Sequence, residues 1–430
     1  MRHLRPNAAD AALLAAVLIA GPVERHAVYT ALGLVLLVAG VGLLGGALLA
    51  GAARRAPSPF WVAVAVLATG WFELVKPPWM NVQSTWLLPL GAWLAGAATL
   101  AVLAVLAVPE RLRWPVAAAT LATTFAAYLY VVRGSVKALI DVWVILQGAS
   151  LGAAHGANPY QMTFGDVPPG QVNDCFNYLP VTFLAPLPTR LLFGDVRYAE
   201  AAVLFAGVAA LAWRARRTAG LPLALLVGLI PGSLYEVQQA WNEALLAGLL
   251  IGAALLADRR RDWWAVACVA LALATKQHIV LLVPLLLWWI GLRKTIVTAL
   301  AGGALCLPWY LWDRARFTHC TVDFFLDLPA RPDSLSLWHW LPGGTGTPLL
   351  LLAGLAAYAL AVTRLPRDGA GLLLGWAAIL AAWDLVNKQS FLNQWLLVAQ
   401  LAVAGLALAA ANATSETRQT SAAVGATLEA

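Results

Sequence analysis

The chain has 430 residues, of which 61% are hydrophobic and only 11% charged, and a mean hydropathy of +0.76. A soluble core cannot absorb that much apolar surface, and apolar runs near the ~20 residues of a membrane span recur along the chain, which excludes a soluble class. The net charge of +7 is spread over short loops without a basic tract, so it speaks for membrane orientation and not for nucleic acid.

The start, "MRHLRP" followed by a short apolar run to Ala20, has the outline of a signal peptide. Leu18 stands where a small residue is wanted and Pro22 follows closely, so an uncleaved first helix is expected. Hydrophobicity predicts spans over 8–21, 29–51, 59–75, 86–108, 114–132, 198–213, 219–236, 242–257, 263–275, 278–292, 295–312, 346–362, 370–386 and 391–411. The fold class is therefore all-α, a polytopic transmembrane helical bundle of about 13–14 spans. The segment 178–193, "YLPVTFLAPLPTRLLF", is apolar but holds three prolines and an Arg. It reads as re-entrant or lying on the surface. The tail 412–430 is small and polar and is expected to be disordered and cytoplasmic. No sequence repeat stands out, which weighs against an inverted-repeat transporter.

Basic clusters at 54–55, 110–113, 214–217, 258–262, 292–294 and 364–368 alternate with less basic loops. Placing them in the cytoplasm makes the span order consistent. The outer loops 133–177 and 313–345 and the turn 386–390 then face outward. Cys175 and Cys320 fall in these two outer loops; a disulfide between them requires both loops to face an oxidising compartment. Cys268 and Cys306 sit in apolar runs as packing residues.

Several polar groups interrupt the apolar pattern. Asp141 sits at a helix end beside the membrane, where a carboxylate wants a partner or a task. Lys137, one helical turn earlier, is one partner; a general base aimed at an acceptor hydroxyl is the other reading, and both stay open. In "GANPY", Asn158 and Tyr160 form a turn with an interfacial aromatic. In "ATKQHIV", Lys276, Gln277 and His278 break a run of about thirty apolar residues, and an unpaired Lys near mid-bilayer costs about 2.5–3.5 kcal/mol on insertion scales. The run is better read as two short helices meeting at a polar break, with Lys276 either snorkelling or held for an anionic headgroup. "QQAWNEA" offers Gln238, Gln239, Asn242 and Glu243 on an outer turn, with Glu243 a plain loop residue, a second acid or a sugar ligand. Asp333 or Ser334 caps a short surface helix, while Arg331 pairs locally or grips a phosphate. "NKQSFLNQW" brings Lys388, Asn393 and Gln394 to the start of the last span, the latter two facing the interior. His155 with Asp166 and Asp174 has no metal-binding spacing, so no metal ligand is assigned. No phosphate-binding loop, dinucleotide fingerprint or nucleophile elbow occurs, which argues against soluble nucleotide chemistry.

Taken in order, Asp141, "GANPY", "NYLPVTFLAPLPTRLLFGDVRYAEA", "ALATKQHIVLLVPLLL", "RPDSLSL" and "KQSFLNQW" resemble the GT-C fold, polyprenyl-phosphate-dependent membrane glycosyltransferases, in the prokaryotic branch that includes bacterial membrane mannosyltransferases. The resemblance covers 114–411; residues 1–113, with about four spans, fall outside it as an N-terminal extension. It implies a polyprenyl-phosphate sugar donor, mannose by default, a glycolipid or glycan acceptor, and chemistry on the extracytoplasmic face of the cell membrane among membrane lipids. It implies Asp141 as base and matches Lys276 and Arg331 to basic positions. Gln277, His278, Asn158, Tyr160, Glu243, Lys388 and Asn393 join them as substrate-binding candidates. No cofactor is implied; some relatives use a divalent metal. Where the family commonly writes a Tyr-Pro-Pro turn this chain has Tyr178-Leu179-Pro180, so Tyr178 is left out of the site. The rival readings are a polyprenyl-lipid or small-molecule transporter, which inverted symmetry and charges midway across several spans would favour, and a scaffold subunit; the charges cluster on one side instead, which favours an enzyme.

Overall fold

The computed structural model describes residues 5–21, 30–75, 82–165, 167, 174–343 and 345–429, with side chains for all of these except residues 75 and 415–429. Most of "MRHLRP", Pro22 and Asp166 lie outside the described residues.

The architecture is an all-α bundle. Helices α1 (Ala8–Ala20), α2 (Ala31–Leu49) and α3 (Pro59–Val75) lead to a short strand β1 (Val82–Ser84). Then come α4 (Leu87–Ala107), α5 (Glu110–Gly134), strand β2 (Ser135–Ala138) and α6 (Asp141–Ala154). The proline-rich segment forms two short helices, α7 (Val181–Leu184) and α8 (Leu187–Phe193). The middle of the chain holds α9 (Arg197–Ala215), α10 (Leu221–Leu226), α11 (Ser233–Gln238), α12 (Glu243–Asp258) and α13 (Asp262–Leu273). A 3₁₀ turn, Gln277–Leu282, runs into α14 (Val283–Ile290) and α15 (Leu292–Trp312). The chain ends with α16 (Arg314–Thr318), α17 (Phe324–Asp327), α18 (Gly346–Arg364), α19 (Gly369–Val386) and α20 (Leu392–Glu429). Among the described residues, eight helices are long and apolar enough to cross a membrane, and several shorter apolar helices accompany them. This is the make-up of a multi-pass membrane protein.

Three differences from the sequence reading have local causes. The expected span 219–236 is two short helices, because Pro231 cannot continue a helix and Gly232 adopts a left-handed φ of 96°. The last helix does not stop at 411: α20 continues through the expected disordered tail to Glu429. Extending an existing helix fixes one residue per hydrogen bond, so an Ala-rich tail follows on without a new nucleus. Finally, the helices of the N-terminal extension pack directly on the later ones. α1 packs on α20, α2 on α19, and all share one apolar core with the middle helices.

α19 and α20 lie at the centre, while α15 and α18 stay largely exposed to the surroundings. Close approach is set by small residues: a side chain on Gly248 of α12 would meet the Val203 carbonyl of α9 at 2.3 Å. The two ends of the bundle are kept apart as the charge pattern expects. At one end, Arg214 bonds Asn412 (2.7 Å), Asn412 bonds Asp368 (3.2 Å), and Lys294 pairs with Asp262. At the other, the segments 155–180, 313–340 and 387–391 interlock. Cys175 and Cys320 form a disulfide, Gln161 bonds Asp313 (2.7 Å), and Leu335 bonds the Ser390 carbonyl (2.8 Å). This second end has its own small core of Ile145, Tyr160, Phe176, Phe183 and Phe317 around the disulfide.

Candidate functional site

The polar break at 274–278 is real: α13 ends at Leu273 and regular structure resumes only at Gln277. The freed carbonyls of Ala274 and Thr275 accept hydrogen bonds from Val181 (2.9 Å) and Leu179 (3.2 Å). That pairing lays 178–181 alongside 274–276. It places the Tyr178 ring 5.6 Å from Lys276 Nζ.

Lys276 points at Glu243, the first residue of α12, and forms an ion pair with its Oε1. The same oxygen accepts from Asn393 Nδ2 of α20 at 2.7 Å. Glu243 is fully buried, and its second oxygen has no hydrogen-bond partner among the described residues. The bend before it needs Ala240 in a left-handed conformation, φ 57°, an uncommon state for a residue with a Cβ. Asn242, beside Glu243, is buried with both amide atoms unpartnered. Three residues that the sequence could place only in separate loops thus form one contact set.

Around this set lie further carboxylates. Asp384 near the end of α19 is buried and within electrostatic reach of both Glu243 and Lys276. Glu200, in the first turn of α9, is buried with neither oxygen partnered, and it senses Glu243. Glu236 bonds Gln400 (2.7 Å). Asp141 opens α6, is half-buried, and turns one oxygen onto the amide of Val142 (2.8 Å). Burial pushes the Tyr178 phenol well above its ordinary pKa, and the carboxylates of Asp141, Glu243 and Glu200 push it further. Tyr178 is therefore within electrostatic reach of both Asp141 and Glu243.

The remaining candidates have other tasks. Lys137 is on β2 opposite Gln83, not one turn before Asp141 on a helix. Asn158 caps the turn Pro159–Gln161 through the amide of Tyr160 (3.1 Å). Tyr160 is fully buried, not an interface anchor, and its hydroxyl donates to the Tyr178 carbonyl at 3.0 Å. It fixes the backbone of Tyr178 from behind. Gln277 donates to the carbonyls of Asn177 (3.0 Å) and Thr321 (3.1 Å), bridging the two disulfide-linked segments. His278 is the second residue of the 3₁₀ turn that follows Lys276. Arg331 gives Nε and Nη2 to the two oxygens of Asp333 (2.9 and 2.5 Å) and stacks over Phe391, so one edge of its fork of donors is already occupied. No contact joins it to Lys276 among the described residues. Lys388 donates to the Leu326 carbonyl (2.8 Å) and fastens the end of α17.

Sequence reasoning set Tyr178 aside and passed over Glu200, Glu236, Asp384 and Gln400. The available signal was a single carboxylate or amide close to one end of each apolar run, as in "RYAEAAVLF" and "AAWDLV". No family model matches the chain, and neither a curated protein nor a solved structure does.

Proposed function

We propose that this protein is an integral membrane glycosyltransferase that moves a sugar, mannose by default, from a polyprenyl-phosphate donor to a glycolipid or glycan acceptor on the extracytoplasmic face. The observation that carries the reading is the juxtaposition, at one end of the bundle, of Asp141, Tyr178 and the Lys276–Glu243–Asn393 set. A one-sided site at a membrane rim suits a reaction between two lipid-borne substrates. The Cys175–Cys320 disulfide supports the outward orientation, since such bonds persist in oxidising compartments.

In this reading Asp141 removes the proton of the acceptor hydroxyl while that oxygen attacks the anomeric carbon. The bond to polyprenyl phosphate breaks, and Lys276 meets the charge growing on the leaving phosphate. The phosphate draws Nζ away from Glu243 Oε1, and Asn393 stays on the carboxylate. Arg331 keeps its place in the loop through Asp333 and is not assigned to the phosphate. Tyr178 covers the ammonium with its ring. A single displacement inverts the anomeric centre.

The test is transfer from radiolabelled polyprenyl-phospho-sugars to membrane glycolipid acceptors by the purified protein and by Asp141→Asn. Product formation lost in the variant supports the assignment; full transfer by Asp141→Asn overturns it. A second reading, a transporter, is favoured by one observation: the Glu236–Gln400 pair lies about two turns along α20, deeper than the rest. Substrate uptake into proteoliposomes with no bond formed would establish that reading instead.

A further inference from the structure

A cavity of about 490 Å³ opens between the ends of α4 and α5 and the turn from α8 into α9. None of the Lys276–Glu243–Asn393 set lines it. Its inner wall is Arg197, buried, with its guanidinium held by Asp195 (2.6 Å) and by the carbonyls of Ser135 (2.6 Å) and Gln238 (2.9 Å). That pair adds no net charge. Arg133, also lining the cavity, differs. It is exposed, and it has no ion-pair or hydrogen-bond partner among the described residues. The Tyr198 hydroxyl beside it has no hydrogen-bond partner there either.

The rim has the opposite character. Trp86 is 75% exposed and Phe193 64%, and α8 buries none of its residues, leaving Leu191 and Leu192 outward as well. Large apolar side chains at the ends of membrane-spanning helices fit the boundary between headgroups and acyl chains. A cation without a partner among the described residues, in a cavity that opens onto such a rim, is complementary to a molecule that is anionic at one end and apolar at the other.

We propose that this cavity holds the anionic headgroup of a membrane phospholipid, its phosphate on Arg133 and its acyl chains against Trp86, Leu192 and Phe193. The site is distinct from the proposed reaction centre and does not depend on that reading. It lies against the β1–β2 ribbon, which leads by two residues to Asp141, so an occupied site would steady that approach.

The experiment is native mass spectrometry of the purified protein in nanodiscs of phosphatidylcholine containing a minor share of phosphatidylglycerol. Wild type retains phosphatidylglycerol in preference. Arg133→Gln lowers that preference about fivefold, the factor that corresponds to ~1 kcal/mol per basic side chain near an anionic surface. Arg133→Lys restores it, and Arg314→Gln, at a distant exposed cation, leaves it unchanged. Phe193→Ser weakens retention of both lipids. Equal retention of the two lipids by wild type overturns the proposal. So does a preference unchanged in Arg133→Gln, or displacement of the lipid by glycerol phosphate at matched concentration. Thermal unfolding of each variant separates loss of lipid from loss of fold.

Discussion

The two ends of the bundle use charge in opposite ways. At the basic end the ion pair Lys294–Asp262 is about 29% exposed on both sides, and Asp258 and Asp368 accept backbone amides at helix starts. Water shares the cost of those charges, and such pairs contribute little beyond local order. At the other end the ion pair Lys276–Glu243 is 12% and 1% exposed, with Glu200 and Asp384 buried nearby. Desolvating a charge there costs several kcal/mol per ion, and neither oxygen of Glu200 has a hydrogen-bond partner among the described residues. The comparison teaches that the first end is built for solubility and orientation. The second end keeps an unfavourable arrangement, as sites that do chemistry or bind charged ligands commonly do.

The contrast is open to experiment. The largest effect is expected for Asp141→Asn, which should reduce sugar transfer about 10²- to 10⁴-fold while leaving thermal unfolding unchanged; normal turnover would remove the reaction from this end. Next come Lys276→Ala and Glu243→Ala, each stranding a buried partner and expected to destabilise by about 3–5 kcal/mol. The double replacement Glu243→Gln with Lys276→Met should recover most of that in a thermal-unfolding cycle. Cys175→Ala should cost about 2–4 kcal/mol and make unfolding insensitive to reductant, because the bond joins segments separated by 145 residues. Tyr178→Leu should lose about 0.5–2 kcal/mol relative to Tyr178→Phe, since only the ring faces Lys276. The smallest effect belongs to the basic end: Lys294→Ala should change stability by less than about 1 kcal/mol, and less still at high salt. A large loss there would erase the distinction between the ends.

Most helix positions were legible in the sequence because an apolar run of the right length admits one solution in a bilayer. The break at Lys276 was legible too, since an ammonium inside such a run is costly enough to force a gap. The broken helix at Pro231-Gly232 was passed over because the run is apolar from Leu221 to Ile230 and the hydropathy of that stretch outweighed its prolines and glycines. Of the site, Lys276, Glu243 and Asn393 were each picked out, yet nothing in their spacing joins positions 243, 276 and 393. Tyr178 was set aside because it departs from a family turn, although its contact with Lys276 depends on backbone pairing and not on that turn.

By itself, then, the sequence determined the class and most of the apolar helices, because hydropathy acts locally along the chain. Only the tertiary structure decided that α12, the break after α13 and the start of α20 bring their polar groups to one point. It also decided that Arg331 belongs to Asp333 and that the first three helices share the common core. Those outcomes depend on which helix faces pack together, and packing is settled by the small-residue contacts and buried pairs between distant segments, which no local pattern encodes.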